Sequence, residues 1–130
     1  MAILTRDEIL ACRERVRWVD VEVPEWAGAD GVAPAVRIRG LTAAERDAFE
    51  REHLLRLLPD GTIDRAFLPE HVRTKLVIAC AIDGENRRLF SDADLPLLNA
   101  LGAVAIGRLY DAAARLSGLA GGAVEQEKNA

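Results

Sequence analysis

Residues 17–24, Arg17-Trp18-Val19-Asp20-Val21-Glu22-Val23-Pro24, alternate apolar and polar side chains with a period of two. That period sets Val19, Val21 and Val23 on one face of an extended strand and Trp18, Asp20 and Glu22 on the other, which predicts a strand with one buried side. Pro24 ends it, and Glu25-Trp26-Ala27-Gly28-Ala29-Asp30-Gly31 is rich in turn formers. The chain therefore reverses into Ala35-Val36-Arg37-Ile38-Arg39-Gly40. Pairing the two strands joins Val36 and Ile38 to the valines and sets Arg37 and Arg39 beside Asp20 and Glu22, where each opposite-charge pair adds roughly 0.2–1 kcal/mol.

Helices flank this hairpin. Thr5 and Glu8 have capping-box spacing and predict a helix over Arg6 to Arg15, with Ile9, Leu10, Cys12 and Val16 on its apolar side. Thr42 and Glu45 repeat the signal, with Leu41 as the outer half of a hydrophobic staple. The helix they start should run to about Leu58, its apolar side carrying Leu41, Ala44, Ala48, Leu55 and Leu58 with Phe49 beside them, and Pro59-Asp60-Gly61 should stop it. A third helix begins near Pro69-Glu70 and runs through Leu76, Val77, Ile78, Cys80 and Ile82. Apolar residues surround its second half, so it is the expected central element. Asp83-Gly84-Glu85-Asn86 makes a turn, and Arg87 to Phe90 is the candidate third strand. Ser91-Asp92-Ala93-Asp94 caps another helix, with its acids at the positive end of the helix dipole and Pro96 in the first turns. The helical pattern goes on past Gly102 through Ala105, Leu109, Ala112, Ala113 and Leu116 to Ser117-Gly118.

The expected fold is α+β, a small antiparallel sheet made of the hairpin and a short third strand, packed on a mostly helical body of four to five helices. Residues 1–118 form the expected single domain, and 119–130 a flexible tail without apolar period.

Composition narrows the function classes. The chain has 130 residues, 50% hydrophobic and 29% charged, with a net charge of −4. It offers no general positive field to phosphate backbones or anionic lipid, so neither nucleic acid nor membrane is an expected partner. Arg13, Arg15 and Arg17 crowd together, as do Arg87 and Arg88, but acids are interleaved with them. The N-terminus carries charges within its first apolar stretch, unlike a secretory leader, and the run Leu76 to Ile82 is far shorter than the roughly 20 residues of a membrane span. A cytoplasmic protein is expected, with Cys12 and Cys80 as buried thiols.

Catalytic groups do not gather in the sequence. His53 and His71 lack a neighbouring nucleophile and orienting acid. Asp83, Glu85, Asp92 and Asp94 lack calcium-loop spacing and suit turn and capping duty. No phosphate-cradling glycine motif is present, and no metal or cofactor is expected. Trp18, on the polar face of the first strand, and Trp26, just beyond it, serve either as a second packing layer or as aromatic anchors for a partner.

Taken in order, VEVPEW (21–26), VRIRGLTAAERDAFE (36–50), KLVIACAIDGENRRLFSDADLPLL (75–98), RLYDAAARLSGL (108–119) and VEQEKN (124–129) resemble the tail assembly chaperones of long-tailed bacteriophages and related prophages. The resemblance covers nearly the whole chain. It departs from that pattern at Ala27 to Pro34, where a shorter turn is usual, which implies a longer hairpin loop here.

The resemblance implies a non-catalytic protein that binds the tape measure protein, keeps its long chain soluble, and helps to recruit the tail tube protein in the bacterial host cytoplasm. It also implies a longer frameshifted form of the chain, attached through the tail after Gly118, and a homo-oligomer along the client. From the residues themselves, the expected contact residues are Trp18, Trp26, Arg37 and Arg39 on the hairpin, with Leu109 and Leu116 on the small-residue face of the last helix. The alternatives are another small phage structural or completion protein, or a small enzyme or regulator built from scattered acids and arginines.

Overall fold

Strand β1 (Trp18–Glu22) and strand β2 (Ala35–Arg39) pair antiparallel, with Val19 opposite Ile38 and Val21 opposite Val36. Asp20 lies opposite Arg37 on the other face. Each strand thus keeps its β-branched side chains on one surface. The computed structural model in which this is seen describes residues 1–12 and 16–119. Within them the chain is an α+β fold, a small antiparallel sheet on a helical body.

The third strand is not the one expected. Strand β3 is Ala81–Ile82, paired antiparallel to β2 and giving the order β1-β2-β3. These two residues continue directly from helix α3 (Val72–Cys80). An apolar run has no period that separates the end of a buried helix from a short buried strand. Arg88 only bridges to Ile82 from the far side, and the Leu89 N–H donates to the Ala81 carbonyl at 3.0 Å.

The sheet's inner face lies on α3 and on helix α5 (Ala103–Leu116). Ile38, Leu76, Leu109, Val23, Val77 and Cys80 are the largest fully buried side chains. Truncating one of the leucines to alanine costs about 2–5 kcal/mol. Helix α5 ends in a Schellman motif: Gly118 has φ +69°, its N–H donates to the Arg115 carbonyl, and the Leu119 N–H reaches the Ala114 carbonyl at 2.9 Å. Leu119 packs on the core, so it belongs to the folded body rather than to a tail. The rest of the expected tail, 120–130, lies outside the described residues.

Three helices differ from expectation. Helix α1 (Arg6–Ala11) has the Thr5/Glu8 capping box but buries nothing, and Ile9, Leu10 and Cys12 are exposed. Its expected continuation over 13–15 lies outside the described residues. Helix α2 (Ala43–Phe49) passes into a π-helical turn (Glu50–Leu54) and stops there. Leu57 then bridges Ile63 across a tight hairpin closed by the Leu58 N–H to the Thr62 carbonyl at 2.7 Å, and Leu58 is exposed. Helix α3 begins at Val72, after His71 in the left-handed region at φ 55°. Helix α4 (Leu95–Asn99) follows the Ser91/Asp94 capping box as expected, with Pro96 in its first turn.

Candidate functional site

The Thr42/Glu45 capping box starts α2 directly beside the end of β2, and this sets up the site. The Thr42 N–H donates to Glu45 Oε1 at 2.9 Å. Arg39 closes on the same carboxylate with both arms, Nη1 to Oε1 and Nη2 to Oε2, each at 2.8 Å. The Arg39 hydrogen bonds, with smaller help from Thr42, hold the Glu45 carboxyl down at about 2, well below its ordinary 4.5. It is a fixed anion near neutrality.

From there α2 and its π-helical turn run along one wall of an open cleft of about 420 Å³. Leu41, Ala48, Phe49, Ile78, Ala79 and Leu95 make its apolar floor, drawn from α2, α3 and the start of α4. Phe49 and His53 meet edge-on, with ring centroids 4.9 Å apart. Around the rim stand Arg39 with Glu45, Arg88 with Asp92 at 3.0 Å, His53 near Glu52 at 3.7 Å, and Lys75. A cleft of this size with apolar walls and a charged rim suits an inserted side chain or short helical face. The chemistry it offers is apolar contact with charge pairing at the edge.

The six residues expected to contact a partner do not form one surface, although Trp18 and Arg37 meet. Trp18 is half exposed on the sheet's outer face, where the Arg37 guanidinium stacks 3.9 Å from its ring centroid. Arg37 also grips Asp20 with two hydrogen bonds, at 2.9 and 3.2 Å. Arg39 turns away to the cleft. Trp26, in a 3₁₀ turn (Pro24–Trp26), packs against the core as the packing-layer reading has it. Leu109 is fully buried, because α5 turns it under the sheet, so it has no surface to give a partner. Leu116 is half-buried against the same core.

The cleft residues His53, Lys75, Ile78 and Arg88 were not among those expected. The spacing Glu45, Phe49, His53 places three side chains along one helix side, but nothing in the sequence sets that row opposite Lys75 and Arg88. Among the described residues no cluster of three or more His, Cys, Asp or Glu side chains is placed to hold a metal ion, and no helix is long and apolar enough to cross a membrane. No protein-family model, curated protein or solved structure matches the chain.

Proposed function

We propose that this protein is a non-catalytic tail assembly chaperone that binds the phage tape measure protein in the host cytoplasm and helps to bring tail tube subunits to it. The ordered set of motifs from Val21 to Asn129 carries the reading.

The apolar cleft and the exposed apolar groups elsewhere on the surface are compatible with this role. A chaperone for a long helical client needs apolar surface to cover the client's own, and charge to keep the complex in solution. The cleft between α2 and α3 supplies the first within a ring of charge. Met1, Ile3, Leu4, Ile9 and Leu10 on the N-terminal arm, and Leu97, Leu101 and Val104 where α4 meets α5, add further uncovered apolar side chains.

Co-expression with a phage tape measure protein tests the reading. The expected result is a larger soluble fraction of the tape measure protein and its co-purification with this chain. A tape measure protein that stays insoluble and unbound counts against it. On this reading the gene lies between a tail tube gene and a very long tape measure gene.

A further inference from the structure

We infer that the outer edge of β1 is a strand-addition site for an extended, basic segment of a partner protein. The backbone pattern comes first. The Gly40 N–H donates to the Arg17 carbonyl and the Val23 N–H to the Pro34 carbonyl, both at 2.9 Å. In an antiparallel ladder the hydrogen-bonded pairs fall on alternate residues, so Val19 and Val21 also turn their backbone groups to β2. Trp18, Asp20 and Glu22 turn theirs outward. No described residue bonds to those N–H and C=O groups. Among the described residues, the sheet order β1-β2-β3 thus leaves the three-residue edge of β1 unpaired, as a further strand requires.

The side chains of the same three residues define what fits. Trp18 presents an aromatic surface held in place by the Arg37 stack, and Arg37 is itself fixed by Asp20. Rigid, half-exposed tryptophans are frequent anchors at protein interfaces. Glu22 forms no ion pair with any described residue. An added strand puts side chains directly across from these positions, on the outer face. It is therefore matched when it carries a basic residue across from Glu22 and an apolar one across from Trp18, four positions apart. A second copy of β1 is mismatched, since antiparallel pairing about its centre sets Asp20 against Asp20.

The probe is a capped peptide, Thr-Lys-Val-Thr-Val-Leu-Thr, titrated against the full chain, with a Glu-for-Lys peptide as its counterpart. Amide hydrogen exchange reads the backbone. Protection should appear on adding the Lys peptide at Trp18, Asp20 and Glu22, while Val19 and Val21 change little. Glu22→Lys should weaken the Lys peptide and favour the Glu peptide, and Trp18→Ala should weaken the Lys peptide by about tenfold or more. Both variants alter exposed side chains, and their unfolding midpoints check that the fold is kept. Equal affinity for the two peptides, or binding without protection of those three amides, overturns the inference. So does protection that rises with protein concentration alone, which marks self-pairing. The inference is independent of the chaperone reading, because it is tested without the tape measure protein.

Discussion

Gly40 passes so close to Leu116 that a Cβ on the glycine would lie 2.5 Å from the Leu116 carbonyl oxygen. The contact is backbone against backbone, so no rotamer change relieves it. It is part of a clamp in which the Leu41 N–H donates to Ser117 Oγ at 2.9 Å and Ser117 Oγ lies 3.9 Å from Cys80 Sγ. Gly40→Ala should destabilise the fold by about 1–3 kcal/mol, the cost of forced overpacking. Urea unfolding would show it as a lower midpoint at unchanged slope.

Acid should weaken the protein through Glu45. Its folded pKa is depressed from 4.5 to about 2, so the stabilisation is present above about pH 4.5 and is lost as pH falls toward 2. The carboxylate is partly in water, which screens the pair, so the loss is about 1 kcal/mol or less. Glu45→Gln should flatten this part of the stability-against-pH curve. Denaturant titrations of both proteins at pH 5 and pH 2.5 compare them.

The two thiols should separate cleanly. Burial raises the Cys80 thiol to about 11, while Cys12 is exposed. At neutral pH a thiol reagent should label one cysteine in the native protein and the second only on unfolding. Fast labelling of both in the folded state would contradict the buried position of Cys80.

The cleft should respond to charge without loss of fold. Lys75 is half-buried on the cleft rim, and Lys75→Glu reverses the charge there. Its stability should stay within about 1 kcal/mol of the parent. On the chaperone reading, tape measure binding should change. By contrast, Leu109→Ala should cost about 2–5 kcal/mol of stability, because Leu109 is core.

Local chemistry was legible and long-range placement was not. The period-two run at Trp18 to Val23 marks the strand and its two faces, since each side chain's face follows from its number, but not the register: Arg39 lies opposite Trp18 and closes on Glu45, and Glu22 lies opposite Ala35. Thr42 and Glu45 marked the start of α2 because a capping box is a contact within four residues. The end of that helix is hidden in the sequence because Leu55 and Leu58 keep a helical rhythm, although the chain there leaves the helix for a hairpin that turns at Asp60-Gly61. Exposed Cys12 shows the same limit: the apolar side of α1 was visible, but the sequence does not say whether anything covers it. The cleft depends on bringing 39–53, 75–79 and 88–95 together, and no spacing encodes that.

The π-helical turn at Glu50–Leu54 has a consequence for insertions and deletions. An α-helix advances about 100° per residue, and a π turn holds one residue more than an α turn. Deleting a single residue there would let the winding become regular and carry the Leu57–Ile63 hairpin around the axis, away from its present side. This short stretch is thus a phase adjuster, where one codon decides which way the neighbouring hairpin faces.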